Sequence, residues 1–357
     1  MSVLARYFFT QIVASGGFVL LALLVLFAFF DVVQELGSLG RKDYGLAQLG
    51  MVVLLGLPGR LTEILPVAAL IGVLLALSRM VAQTEFAVMR VSGLSSWRVA
   101  GWLAALGLAL SVLLMTTGEY VAPWSDQTAQ RIKLSATRSV IAQQFRSGLW
   151  VKDGGAFINA REVLPDNTLR DVRIYDFDAQ GSLRLIRAAA EARWQRDQNW
   201  LLADVQETRF DQGAVQVRHE DRRAWKTVLT PDMLAVLLIA PEEMSARTLY
   251  RYVEHLKANE QNASRYELAL WSKFINPLII PVMMLIALPF AISGPRSRGA
   301  TAKVFIGILV GLAFHLLSRL FGHLGLLNDW PAPLVASLPM LVFSLIALGG
   351  VAWANRR

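Results

Sequence analysis

The sequence contains no cysteine and only four histidines. Neither a disulfide framework nor a thiolate metal site can be built from it. His315 and His323 have no acidic residue at helical spacing, whereas a metal needs several converging ligands. Packing or interfacial roles fit these two histidines better. The pattern G-x-x-x-x-G-K-[ST] is also missing, which removes the usual phosphate-cradling loop and with it a recognisable ATP site. In the large polar section Glu119–Arg265 no nucleophile–base pair stands in a recognisable frame, so catalysis is not expected there.

What is present is apolar sequence. Hydrophobic residues make up 55% of the 357 positions, and several runs reach the ~20 residues that a helix needs to cross a bilayer core. Six spans are expected: Ile12–Phe30, Leu61–Leu77, Val99–Thr117, Phe274–Ile292, Val304–Leu324 and Leu334–Trp353. The piece Leu46–Leu57 is read as an interfacial or kinked lead-in, broken from the second span by Pro58 and Gly59. The first run is too long for a cleaved signal peptide, and no small-residue cleavage site follows it. An ion relay would need paired ionisable groups at mid-membrane. Asp31, Glu63 and Arg319 instead sit toward the outer ends of their runs.

Charge gives the orientation. The N-terminus, Arg79–Arg98, Gly294–Lys303 and the C-terminus hold nine basic residues and one acid, Glu85. By the positive-inside rule these ends are cytoplasmic. The large section Glu119–Arg265 has 21 basic and 20 acidic residues and is nearly neutral. The net charge of +8 is thus concentrated on one side of a membrane, and a nucleic-acid partner is not needed to explain it.

The large section has soluble character. Alternating runs such as "DVRIYDFDA" (Asp171–Ala179) and "AVQVRHEDRRAWK" (Ala214–Lys226) are separated by turn signals at Asp153, Pro165, Ala179, Arg196 and Asp211. Short strands at even spacing predict an all-β sandwich or jelly roll on the outer side. Ser245 is placed to cap a helix with Leu249, Tyr252, Val253 and Leu256 on one face, and Ser264 to start the helix that becomes span four. The expected organisation is residues 1–123 for the first three spans, 124–265 for the outer β domain with its connecting helices, and 266–357 for the last three spans.

The loop "QTEFAVMRVSGLSSWRV" (Gln83–Val99) predicts a short helix near 84–92. Thr84 can cap it, Glu85 suits its positive end, and Gly93 can stop it. Phe86, Met89 and Arg90 share one face. Two readings stand: a solvated turn with an N-terminal acid, or a helix that docks into an ATPase.

Five stretches resemble the LptF/LptG permease family of the lipopolysaccharide exporter: "EFAVMRVSGLS" (Glu85–Ser95), "GEYVAPWSDQTA" (Gly118–Ala129), "GLWVKDGGAFI" (Gly148–Ile158), "WKTVLTPDML" (Trp225–Leu234) and "RYELALWSKFINPL" (Arg265–Leu278). The likeness runs from near Arg6 to the end of span six. "GLWVKDG" and "YELALWSK" resemble the LptG branch more than LptF. The resemblance implies an α-helical membrane protein with six transmembrane helices and a periplasmic β-jelly-roll domain, in the Gram-negative inner membrane. It further implies pairing with LptF, two copies of the ATPase LptB, and transfer of lipopolysaccharide to LptC. ATP and magnesium would be bound by LptB, and this chain would carry no cofactor.

Carried onto this sequence, the resemblance makes Glu85 the coupling carboxylate toward the ATPase, with Phe86 and Met89 as apolar contacts and Arg90 beside them. Arg41, Lys42, Arg131, Lys133 and Arg138 become candidate lipopolysaccharide contacts at the outer rim, where Arg forks and Lys point charges suit phosphate. Lys133 falls where relatives carry a basic residue. Gln130 and Asp31 depart from basic positions in relatives. Asp31 and Arg319 are expected to approach across the lateral gate formed by spans one and five. Open alternatives are the paralogous LptF seat, an ABC-type permease for another lipid, and a non-transporting envelope scaffold.

Overall fold

In the computed structural model, the described residues are 3–40, 44–137, 148–164, 168–178, 180–195, 199–211, 214–227, 229–230, 240–293 and 300–356. Six helical segments among them are long and apolar enough to cross a membrane. Helix α1 spans Val3–Glu35 and α2 spans Leu46–Ala82. A short α3, Glu85–Val91, joins α2 to α4, Ser96–Thr116. A π-helical turn, Thr117–Val121, carries α4 into α5, Ala122–Thr137. After the β domain come α6 (Ala246–Ala258) and α7 (Ser264–Ile275). One 3₁₀ turn, Asn276–Leu278, then leads into α8, Ile279–Ser293. The last two spans are α9 (Ala300–Leu327) and α10 (Ala332–Arg356).

Helices α2 and α8 form the centre of the membrane part. Leu70, Leu74 and Leu77 of α2 pack with Ile280, Met283, Met284 and Ala287 of α8 in one buried cluster that also takes in Ala347 and Val351 of α10. In lipid, burial of leucine gains little, so close backbone approach and satisfied polar groups carry the packing. The glycines show where backbones meet. A Cβ on Gly107 of α4 would lie 2.5 Å from the Pro281 Cα of α8, and one on Gly72 of α2 would overlap the backbone of Gly16 in α1.

Pro58 does not break α2. The helix runs unbroken for 37 residues with Pro58 and Pro66 inside it, which corrects the expected interruption. At 1.5 Å per residue this is about 55 Å, well beyond a ~30 Å hydrocarbon core. The excess lies on the β-domain side, where Leu49 and Val53 pack with Tyr44, Val32 and Ala136. Flanking contacts from α1 and α5 hold the stretch helical even though proline removes one backbone donor.

The described strands form one antiparallel sheet in sequence order: β1 (Leu149–Asp153), β2 (Ala156–Val163), β3 (Leu169–Phe177), β4 (Leu183–Trp194), β5 (Trp200–Asp211) and β6 (Ala214–Trp225). The strands expected at Asp171–Ala179 and Ala214–Lys226 are β3 and β6. Gly154 and Gly181 take positive φ in the first and third hairpin turns, as a tight reversal requires. Alternation gives the sheet one apolar face. Across it, Ile158 faces Ile174, Val172 faces Ala189, Ala189 faces Val205, and Trp200 faces Trp225. All seven are buried in a single cluster. Trp200 donates its indole N–H to the Leu229 carbonyl at 2.6 Å, which meets the rule that a buried indole needs a partner.

Candidate functional site

Three places join the helices in ways that composition alone does not dictate. The first is α3. Its start is not capped as expected, because Thr84 lies in the left-handed region (φ 61°) and its hydroxyl donates to the Gln83 carbonyl at 2.6 Å. The turn at Gln83–Thr84 is therefore made by backbone reversal, and the side chain is spent locally. Gly93 (φ 92°) ends the unit, and Ser95 then caps α4 by accepting from the Arg98 N–H at 3.3 Å.

Phe86 and Met89 are 4% and 5% exposed and belong to the central cluster. The apolar contact expected from them is thus made within this chain, and it seats α3 against the membrane helices. The outward apolar residues are Val88 and Val91, 67% and 90% exposed. A one-sided helix must bury one of two possible faces, and here the larger side chains went inward. Arg90 is half-buried. Glu85 accepts the Tyr7 hydroxyl at 3.0 and 3.2 Å, tying α3 to the first turns of α1.

The second place is the β-domain end of α1. Asp31 accepts two hydrogen bonds from Arg60 of α2, at 2.6 Å from Nη2 and 3.1 Å from Nε. The expected pairing of Asp31 with Arg319 is replaced by this one. Arg60 lies on the neighbouring helix in direct contact with α1, while Arg319 is exposed on α9. One turn on, Glu35 accepts from Lys133 of α5 at 2.6 Å and from the Tyr44 hydroxyl at 3.2 Å. Burial, reinforced by the Glu35 charge, pushes the Tyr44 phenol up to about 12. Glu63 makes a longer contact with Arg60, at 3.3 Å. Arg131 is exposed on α5. Arg41, Lys42 and Arg138 lie outside the described residues.

The third place is the π turn between α4 and α5. Glu119 accepts from the Ala246 N–H at 2.7 Å and the Arg247 N–H at 3.3 Å. A carboxylate thus sits at the positive end of α6, beside the expected cap in which Ser245 accepts from Thr248 at 3.2 Å. Leu249, Tyr252, Val253 and Leu256 are buried as predicted. Lys273 of α7 donates to the Gly118 carbonyl at 3.1 Å, satisfying an acceptor that the π turn displaces. The sequence carried a signal for Ser245 but none for Glu119, whose partners are 127 and 128 residues away.

Among the described residues no group of histidines and acids could hold a metal ion. A cavity of about 100 Å³ lies between α7, α9 and α10, lined in part by Ser272, Asn276, Phe314 and Met340. Drug-sized ligands need roughly 300–1,000 Å³. A large amphiphile does not fit that cavity, and an open apolar face is another place for one. Helices α1 and α9 offer such faces: Phe18, Leu21, Val25 and Phe29 on one, Phe305, Leu312, Leu316 and Leu320 on the other, are all exposed.

Residues 6–353 match the family described as lipopolysaccharide export system permease LptF/LptG. The chain is 34% identical over 348 residues to the lipopolysaccharide export system permease protein LptG of Escherichia coli K12, covering 97% of both chains. It is 30% identical to the LptG protein of Haemophilus influenzae, over 96% of both chains. With the LptF protein of E. coli K12 it shares 22% identity, over 88% of this chain and 85% of that one. The chain belongs to the LptF/LptG family.

Proposed function

We propose that this LptF/LptG-family chain is the LptG-side permease subunit of an ABC-type exporter that takes lipopolysaccharide out of the outer leaflet of the inner membrane. The observation that carries this is the near-complete coverage at 34% identity to LptG, against 22% to LptF. The two open apolar faces on α1 and α9 support it, since acyl chains need an apolar surface. A second permease of LptF type would close these faces into a shared cavity.

The chain itself is non-catalytic in this reading. An LptB-type ATPase dimer binds ATP and magnesium at the loop end and meets α3. Glu85, Arg90, Val88 and Val91 face it, while Phe86 and Met89 transmit its motion by anchoring α3 to the helix core. Few anchors suffice for such an interface. The nine basic residues around the loops support a cytoplasmic position for this end. The β domain then lies in the periplasm, where it hands lipid toward LptC. Arg131 and Lys133 stand at the rim where phosphates pass.

The test is copurification from membranes that also contain the partner subunits. An LptB-like ATPase and an LptF-like permease should come down with this chain, and lipopolysaccharide should change the ATPase rate. An envelope scaffold would bring no ATPase, and an exporter of another lipid would not respond to lipopolysaccharide.

A further inference from the structure

Helix α1 is attached unevenly. Its buried residues, Ala5, Phe8, Ile12, Ser15 and Val19, all lie in its first half. Near the end of that half, Gly16 meets Gly72 of α2 so closely that a Cβ on Gly72 would overlap it. Beyond Val19 no residue of α1 is buried, and contact continues only through half-buried side chains such as Leu23, Leu24, Ala28 and Val32. The β-domain end is then fixed by two ion pairs. Asp31 and Glu35 are four residues apart, so they share a face. Each holds a cation from a different helix: Arg60 of α2 and Lys133 of α5.

The exposure within each pair is asymmetric. The Asp31 and Glu35 side chains are 17% and 15% exposed, whereas those of Arg60 and Lys133 are 34% and 36% exposed. An arriving anion therefore meets the cations first. A phosphate monoester carries about 1.5 to 2 negative charges at neutral pH and three acceptor oxygens. It suits both an Arg fork and a Lys point charge, and it outbids a single carboxylate for either.

We propose that these two pairs are a latch on α1, and that phosphate groups of a bound amphiphile open it by taking Arg60 and Lys133 from Asp31 and Glu35. The freed half of α1 then swings from the Gly16–Gly72 contact, uncovering the apolar face of α1. Arg60 thereby becomes a phosphate contact that the sequence did not single out. This rests on the reading of the chain as a lipopolysaccharide permease.

The absence of cysteine makes the test direct. Spin labels on Val33→Cys of α1 and Met51→Cys of α2, both exposed, report the separation of the two helices by pulsed electron resonance. The labelled chain is used in its full complex in nanodiscs, with three additions compared. Lipopolysaccharide should lengthen and broaden the distance distribution. Enzymatically dephosphorylated lipopolysaccharide, and inorganic phosphate alone, should leave it unchanged. The Asp31→Asn/Glu35→Gln variant should show the long distribution with no lipid added. Should that variant fail to assemble, Arg60→Lys, which keeps charge but loses the fork, should shift the wild-type distribution toward the long form.

Lipopolysaccharide that copurifies with the complex yet leaves the distribution unmoved would overturn the latch alone. An equal response to inorganic phosphate would overturn the lipid as its trigger. A complex that retains no lipopolysaccharide would overturn the functional reading and the latch with it.

Discussion

The hydroxyl of Ser111 in α4 donates to the carbonyl of Pro277, 2.6 Å away, at the start of the fourth span. Pro281 lies four residues beyond Pro277 and has no N–H, so that carbonyl has lost its helical donor. Ser111 supplies the donor from a neighbouring helix, and Gly107, one turn earlier, lets the two backbones approach closely enough for it to do so. Proline inside a membrane helix is tolerated where a neighbour restores such a bond.

Ser111→Ala should therefore destabilise the helix bundle by about 0.5–1.5 kcal/mol, the net worth of one buried hydrogen bond. Gly107→Ala should cost more, because its Cβ would meet Pro281 backbone 2.5 Å away. Thermal unfolding in detergent, followed by loss of monodisperse protein, orders the two variants.

The contact between α1 and α2 is one-sided. A Cβ on Gly72 would overlap Gly16, while one on Gly16 meets nothing within 4 Å. Gly72→Ala should loosen α1 and lower the melting temperature, and Gly16→Ala should be near neutral. Equal effects from the two would contradict the geometry.

Glu119 holds two N–H groups at the start of α6. Glu119→Ala should cost about 0.5–2 kcal/mol, the usual worth of a cap. Hydrogen exchange should quicken in the first turn of α6 and leave β3 and β4 unchanged.

Glu207 is buried on β5 and receives Arg187 at 2.9 Å, Arg209 at 3.1 Å and Arg223 at 2.7 Å. Burial alone would raise its pKa, but the Arg187 hydrogen bond and the charges of Arg223 and Arg187 overrule it and hold it low. Its stabilisation is then complete above the unfolded carboxylate value of about 4.3 and fades as pH falls through the lower folded value. Glu207→Gln should weaken the sheet at neutral pH by about 1–3 kcal/mol and flatten the acid dependence below pH ~4.3. Hydrogen exchange of β4–β6 against pH reads both effects.

Much of this arrangement was legible from residue pattern. The apolar runs marked the spans, alternation marked β3 and β6, and the i, i+3, i+4, i+7 spacing from Leu249 to Leu256 marked the buried face of α6. What pattern could not supply was the identity of the neighbour. Periodicity showed that Phe86 and Met89 share a face, but not that it packs on α2 within the central cluster. Asp31 was expected to approach Arg319 at the gate, but the packing of α1 on α2 brings Arg60 to it. Pro58 signalled a break, and the contacts of α2 with α1 and α5 overrode it.

The most direct measurement is ATP-driven lipopolysaccharide release from proteoliposomes holding this chain with its partner permease and ATPase. Wild-type protein should release lipid to a periplasmic acceptor only with ATP. Glu85→Lys should keep the complex assembled and hydrolysing ATP while release falls by about tenfold or more, the size of a lost charge-pair anchor. Tyr7→Phe removes only the hydroxyl bound to Glu85 and should retain most release. Undiminished release by Glu85→Lys, or no ATP-dependent release by the wild-type complex, would contradict a lipopolysaccharide permease driven through α3.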